Sequence, residues 1–425
     1  MPLTEPGYKQ RLVDKEVDES LKVFGAVSIE GPKYCGKTWT SLNHAESVIY
    51  IADPAGGFAN RQRAEIDPSL VLQGALPRLI DEWQDVPGIW DAVRFEVDRK
   101  QDRGRFILAG STMPPQSGRQ HSGAGRIGSV QMRTMTSLEQ GFSNGSVSLS
   151  GLAGAKKVPV VDSTTTLDSL IDRVVRGGWP ETGDLPTALA MKIPDSYLLR
   201  LINQDMVELD NIARDPVKVR KTINSLARST ATMVKQTTVV QDISADNQSI
   251  TRETVTEYLS ALRRLYVLEE IPAWSPNFCS RKRLRQSPKR MLTDQSLAVA
   301  ALGLTPEKLK ADLYTLGFLF ESMCLKDLLV YASCSGASVY HYADDSGLDA
   351  DAIIELRDGS WLGIEIKLGH NQVNEAAKKL IRLQDKLVKA GAQPASALVV
   401  IVGLSSFSHR REDGVIEIPL DCIGV

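Results

Sequence analysis

The chain has 425 residues, a formal net charge of -2, 42% hydrophobic and 24% charged residues. That size holds about three domains, and the composition is that of a globular protein, which excludes fibrous, low-complexity and disordered classes. Cys35, Cys279, Cys324, Cys334 and Cys422 form no C-x-x-C pair, the histidines are scattered, and no apolar run approaches the ~18 residues of a membrane span, so a disulfide framework, a structural zinc site and a membrane-spanning protein are not expected.

Residues 1–22 are polar and mixed in charge, an arm or a short helix with no apolar signal segment, which points to a cytoplasmic protein with reduced thiols. Residues 26–29 are a short apolar run that predicts a buried strand. Gly31-Pro32-Lys33-Tyr34-Cys35-Gly36-Lys37-Thr38 follows and fits G-x-x-x-x-G-K-[ST], the phosphate-binding loop of nucleotide triphosphatases. A strand, a glycine loop and a helix start together make an anion site, because backbone N–H groups point at phosphate. Lys37 is expected to reach the β- and γ-phosphates of ATP, and the Thr38 hydroxyl to hold Mg2+.

Residues 47–52 are a second β-branched run, and alternation of such runs with helical stretches predicts an α/β domain with a mostly parallel sheet. Leu79-Ile80-Asp81-Glu82 then has the form of a core strand with an acidic end, the Walker B pattern. Asp81 would orient Mg2+ and Glu82 would activate the attacking water. Residues 105–111 predict another strand. It ends in Ser111 and Thr112, either a γ-phosphate sensor or a plain strand end before Pro114-Pro115. The Gly-rich loop 116–130 carries Arg119 and Arg126. Arg126 is the preferred arginine finger, in cis or from a neighbouring subunit, with a solvated loop arginine as the competing reading.

Residues 31–38, 79–84, Leu108 to Ser111 and Gly123-Ala124-Gly125-Arg126 together resemble a large group of prokaryotic AAA-type ATPases, as do Met132-Arg133-Thr134-Met135 and Arg176-Gly177-Gly178-Trp179-Pro180. The resemblance implies a helical lid in which Arg173 or Arg176 senses nucleotide. It also implies a C-terminal domain related to PD-(D/E)xK nucleases. Rings are common in this group, so a homo-oligomer, ring or dimer, is a further expectation.

Apolar spacing predicts helices from 194 to 229, with Asp215 as a cap and Pro216 at the first position of a new helix. A helix from about 249 and a strand at 268–272 complete a winged-helix pattern. The run Arg281-Lys282-Arg283-Leu284-Arg285-Gln286-Ser287-Pro288-Lys289-Arg290 is the densest positive stretch, and with Arg252 it is a candidate contact for DNA phosphates. A solvated loop or a domain-docking surface is the alternative.

At the C-terminal end, an amphipathic helix at 313–329 carries Glu321, and a strand at 338–342 follows. Asp351 and the pair Glu365 and Lys367 then lie on the two arms of a predicted hairpin. Glu365 and Lys367 are two apart on one strand and project from one face. Two carboxylates and a lysine are a donor set for Mg2+ or Mn2+ with a water-activating group, and Glu321 could add a ligand. Residues 371–390 predict a basic amphipathic helix with Lys378, Lys379, Arg382 and Lys386.

The expected fold is therefore α/β: an AAA-type core at 1–155, a helical lid or linker at 156–215, a winged-helix-like domain at 216–300 and a restriction-endonuclease-like α/β domain at 301–425. The expected function is ATP binding and Mg2+-dependent hydrolysis coupled to DNA binding, structured or branched DNA included, with ADP as product and no membrane partner. A second Mg2+ or Mn2+ belongs to the C-terminal domain in this reading. Two other classes stay open: an ATP-regulated metal-dependent nuclease, and a nucleotide-gated protein-interaction switch without nucleic acid.

Overall fold

The structure, a computed structural model, describes residues 2–112, 120–154, 157–210, 212–244, 250–277 and 286–425. The chain divides into two compact units. One comprises residues 1–134 with 204–213 and 260–267, and the other comprises 135–203, 214–259 and 268–425.

The first unit is built on strands β1 (Ala26–Glu30), β2 (Ser47–Tyr50), β3 (Arg78–Asp81), β4 (Phe106–Gly110) and β5 (Ile127–Gln131). They form one parallel sheet in the order β2-β3-β4-β1-β5. The central strands β1 and β4 are covered on both faces, which is why they are near-continuous apolar runs. Val27, Ile29, Leu79 and Ile107 pack on one face with Val17 of helix α1 (Asp14–Val23) and Leu42 of helix α2 (Lys37–Asn43). Ile80, Phe106 and Leu108 pack on the other with Ile89, Trp90 and Val93 of helix α3 (Gly88–Lys100). Each fully buried side chain of this size stabilises the fold by roughly 1.5–3 kcal/mol.

Register decides what the sheet presents at each end. Glu30 lies opposite Gly110 and Asp81 opposite Ala109, so the glycine loop, the acidic strand end and Ser111 share one end of the sheet. Ile127 lies opposite Ala26, and Ala26 N–H donates to the Arg126 carbonyl at 3.1 Å, so Arg126 sits at the opposite end.

In the second unit, helix α4 (Leu167–Arg176) begins at a capping box made by Thr166 and Ser169. Helix α5 (Pro216–Arg228) starts as expected, with Asp215 accepting the Val217 N–H at 2.9 Å and Pro216 in first place. Helix α6 (Gln236–Ser244) follows, then α7 (Arg252–Arg264), whose residues from 260 on are counted with the first unit, and the antiparallel ribbon β6 (Leu268–Ile271) and β7 (Lys289–Leu292).

The rest of this unit runs α8 (Leu313–Cys334), β8 (Ser338–Ala343), β9 (Asp349–Glu355), β10 (Trp361–Gly369), α9 (Val373–Lys389) and β11 (Ala397–Leu404), closed by β12 (His409–Arg410) and β13 (Ile416–Pro419). The sheet order is β12-β13-β11-β10-β9-β8. Strands β8, β9 and β10 are an antiparallel meander, and α9 is the crossover between parallel β10 and β11. Ile353, Trp361, Leu380, Leu383 and Val400 form the core under α9. Helix α8 is not amphipathic as expected. It buries Leu319, Phe320, Leu325 and also Lys326 and Asp327, whose charged groups meet the Met135 carbonyl and the Ser137 N–H.

Candidate functional site

The glycine loop is held in place by contacts that only certain residues allow. A Cβ on Gly31 would lie 2.1 Å from the Met132 carbonyl oxygen, and Gly36 has φ 101°, so neither position accepts a side chain without distortion. The guanidinium of Arg11, buried in the N-terminal arm, donates to the Cys35 carbonyl at 2.7 Å and the Arg133 carbonyl at 2.8 Å. Arg11 thereby ties the loop to the chain beyond β5. No motif marks this residue, because it serves carbonyls far away in sequence. The flanks are tied too: Lys33 pairs with Asp205 at 2.7 Å, and Tyr266 Oη donates to Glu30 at 2.8 Å.

Lys37 is buried and donates to the Pro32 carbonyl at 2.7 Å, within the loop it belongs to. Thr38 Oγ1 donates to Asp81 Oδ1 at 3.1 Å. Burial, and then the charge of neighbouring Glu82, push the Asp81 carboxyl up to about 6, while the Thr38 hydrogen bond and Lys37 pull the other way. Two adjacent carboxylates share the space, and a cation there would relieve both.

Glu82 stands in the left-handed region, φ 54°, at the sharp exit from β3. Its carboxylate accepts from the Gln84 amide and, at 3.3 Å, from Ser111 Oγ. The structure brings Thr38, Asp81, Glu82 and Ser111 together at one end of the sheet. Arg126 is a correction for action in cis. It lies at the far end of β1, five residues away and so roughly 15 Å from the loop, where its Nε pairs with Asp98 at 2.7 Å.

A second cluster lies in the C-terminal sheet. A register shift between Ala350 and Ile353 bulges β9 and turns Asp351 toward β10. Asp351 Oδ2 accepts the Ile366 N–H at 2.8 Å and lies 3.2 Å from Lys367 Nζ. Lys367 Nζ lies 2.7 Å from Glu365 Oε2, and Lys379 of α9 lies 2.9 Å from Glu365 Oε1. Glu321 pairs with Lys289 at 2.6 Å. The four expected residues Glu321, Asp351, Glu365 and Lys367 are therefore brought together.

Two lysines join them that the sequence reading placed elsewhere. Lys289 was part of the basic run and Lys379 part of an outward basic face. Lys289 is 7% exposed in β7, and neighbouring Arg290 is 6% exposed and paired with Glu270 at 2.7 Å, so both are structural ions rather than wing cations. Burial raises the Glu321 and Glu365 carboxyls, aided by Asp351. Burial pushes Asp351 upward as well, but Lys289 and Lys367 outweigh it and hold that carboxyl low. Among the described residues, no group of three His, Cys, Asp or Glu is arranged to hold a metal ion.

Arg252 is exposed at the start of α7. Arg281, Lys282, Arg283 and Arg285 lie outside the described residues, as does Arg119. Arg176 is buried and donates to the Thr182 and Leu185 carbonyls, and Arg173 stacks on Phe142 at 4.7 Å. No helix among the described residues is long and apolar enough to cross a membrane.

Residues 24–140 match the model of the AAA domain family. This segment spans the glycine loop, the acidic strand and Ser111. Over these residues the chain is similar to AAA-type ATPase domains. Residues 167–308 and 316–423 match two domains of unknown function, DUF8612 and DUF4143. Uncharacterised proteins of Mycobacterium bovis and Mycobacterium tuberculosis are each 25% identical over 350 residues, covering 80% of this chain and 70% of the relative. A Walker-type ATPase of Pyrococcus abyssi is similar in structure at 11% identity, covering 71% of this chain and 97% of that one with a TM-score of 0.39. A RuvB of Thermotoga maritima reaches a TM-score of 0.28 at 15% identity over 69% of this chain and 94% of that one. The domain assignment rests on the family match and the loop geometry.

Proposed function

We propose that the chain binds ATP and hydrolyses it with Mg2+, and that this cycle is coupled to DNA binding. The 3.1 Å contact between Thr38 Oγ1 and Asp81 Oδ1, beside Lys37, carries the first part. A hydroxyl and a carboxylate that converge next to a phosphate-binding lysine are the two protein groups that hold Mg2+ on a bound triphosphate. Glu82, hydrogen-bonded by Ser111 and Gln84 at the same sheet end, supplies the base or orienting group for water. With Arg126 remote from its own loop, an arginine finger would come from a neighbouring copy, which makes a homo-oligomer part of the proposal.

DNA coupling is supported by α5, α6, α7 and the β6–β7 ribbon, the element order of a winged helix. The sequence between the two ribbon strands carries Arg281, Lys282, Arg283 and Arg285, and cations of this density bind phosphate backbones in a salt-dependent way. The α8-β8-β9-β10-α9-β11 order, with Asp351, Glu365 and Lys367 on one sheet, supports a nuclease-like fold for the C-terminal part. The test is ATP retention and turnover by wild type and Glu82→Gln, with and without single-stranded, duplex and branched DNA at two salt concentrations. Failure to retain Mg2+·ATP overturns the ATPase reading. Turnover and nucleotide affinity indifferent to every DNA form overturn the coupling alone.

A further inference from the structure

The carboxylates of the C-terminal sheet have the residue types of a divalent-metal site. The question is whether the residues around them fit an ion. Lys289 Nζ lies 2.6 Å from Glu321 Oε1, 3.0 Å from the Asp351 carbonyl oxygen and 3.8 Å from Asp351 Oδ1. Carboxylate oxygens plus a main-chain carbonyl are what a hard cation takes as ligands. Here an ammonium has them.

Oxygens of Asp351 and Glu365 also face cations. Asp351 Oδ2 faces Lys367 and the Ile366 N–H, and both oxygens of Glu365 face lysines. Lys289, Lys367 and Lys379 face Glu321, Asp351 and Glu365, with Asp349 also on Lys379 at 2.9 Å, so each of the three buried carboxylates already has an ammonium partner. A divalent ion added to this set would have to sit beside the ammonium groups of Lys289 and Lys367, which already face the same carboxylates and would repel it. His341 fits the same picture. Burial, then the positive charge of Lys289, bring it down to about 4, so it stays neutral beside the lysine.

Lys289 is not a loop cation free to swing away. It sits in β7 opposite Ile271, and its neighbour Arg290 is itself buried and paired. We infer that the Lys289 ammonium is a tethered cation standing in the place of a divalent ion, so that the C-terminal unit works without metal and does not cleave phosphodiesters through Asp351, Glu365 and Lys367. The inference is independent of ATP hydrolysis at the glycine loop.

The experiment is titration of the nucleotide-stripped full chain with Mn2+, read as loss of the free-ion electron paramagnetic resonance signal. Wild type is expected to leave the signal undiminished. Lys289→Met, which keeps length and removes charge, is expected to take up one equivalent, and Lys289→Met with Glu321→Gln to lose it again. Mn2+ uptake by wild type that Glu321→Gln or Asp351→Asn abolishes overturns the inference. A folded Lys289→Met that takes up no Mn2+ overturns it too. Should that variant not fold, the wild-type arm and its Glu321→Gln control still decide.

Discussion

Thr38 and Asp81 meet at 3.1 Å across the end of the parallel sheet, one from the first turn of α2 and the other from the last residue of β3. The hydroxyl donates to a carboxylate that is 8% exposed and lies next in sequence to a second acid. In the absence of a cation this acid is strained electrostatically, which gives the site a pH signature.

Asp81 is raised from 3.8 to about 6, chiefly by burial and then by Glu82. A raised folded-state value means that the group favours the folded state fully below 3.8, and that this contribution is lost as pH rises through about 6. The full loss is on the order of 3 kcal/mol, from about 1.36 kcal/mol per unit. Mg2+ bound with ATP compensates the ionised carboxylate. The thermal shift produced by Mg2+·ATP is therefore expected to grow between about pH 5 and pH 7. Asp81→Asn is expected to flatten that dependence and to lower Mg2+-dependent ATP affinity. Melting curves across pH with Mg2+·ATP, and with ATP plus a chelator, check it; a shift that is equal at both ends of the range counts against Asp81 as the metal-orienting acid.

Glu82 is the candidate for activating water, and its substitution separates chemistry from binding. Glu82→Gln keeps the shape and the contacts to Ser111 and Gln84 but removes the base. Turnover is expected to fall by about 10²–10⁴, the usual contribution of a positioned general base, while ATP affinity changes by no more than a few-fold. Ser111→Ala is expected to lower turnover less, because Gln84 still holds the carboxylate. Single-turnover hydrolysis with pre-bound ATP reads the two effects apart. Equal losses in affinity and turnover would show that Glu82 merely supports the loop.

Arg126 carries a prediction about assembly. Its ion pair with Asp98 is half exposed, and such pairs are worth about 0–1 kcal/mol, so Arg126→Ala should leave the melting temperature nearly unchanged. As a finger acting on a neighbour, the same change should lower turnover by about 10³ or more. Lys37→Ala keeps Arg126 but loses its own site. Mixing the two inactive variants is then expected to restore turnover, since each Arg126→Ala site can receive the arginine of a Lys37→Ala subunit. Mixtures that stay as inactive as their components would rule out transfer between subunits.

The parts of this protein that were legible in its sequence are those whose chemistry demands fixed residue types at short spacing. The eight-residue loop, Asp81-Glu82 and the Glu365-x-Lys367 strand are of that kind. Strands β4 and β11 were legible because burial on both faces makes them unbroken apolar runs, β1 because only Ser28 interrupts its apolar run, and β3 because Leu79 and Ile80 lead into the acidic pair. For Arg126 the reading of action in cis departs from the structure for a different reason. The residue directly precedes β5, and only the sheet order and parallel register show that β5 starts beside the start of β1, away from the glycine loop. Lys289 and Lys379 were misjudged because a string of cations does not say which of them turn inward. Arg11 and Asp205 carried no signal at all, since their partners are Cys35, Arg133 and Lys33, far off in the chain.

Lys289 finally makes a prediction about stability that distinguishes a buried ion pair from an ordinary surface charge. Burial lowers the proton affinity of its amine, but Glu321 and Asp351 more than offset that, so the lysine is held charged. Lys289→Met removes the charged partner of Glu321 and leaves buried carboxylates uncompensated, a change expected to destabilise by about 3–5 kcal/mol. Removing both charges is a different matter. Lys289→Met with Glu321→Leu deletes one positive and one negative group of similar volume, and hydrophobic replacement of a buried pair is often neutral or stabilising. The double variant is therefore expected to recover most of the loss, giving an interaction energy above about 1 kcal/mol in the double-mutant cycle. Denaturant unfolding of the wild type, both single variants and the double variant measures it, and simple additivity of the two single changes would show that Lys289 and Glu321 do not act as a pair.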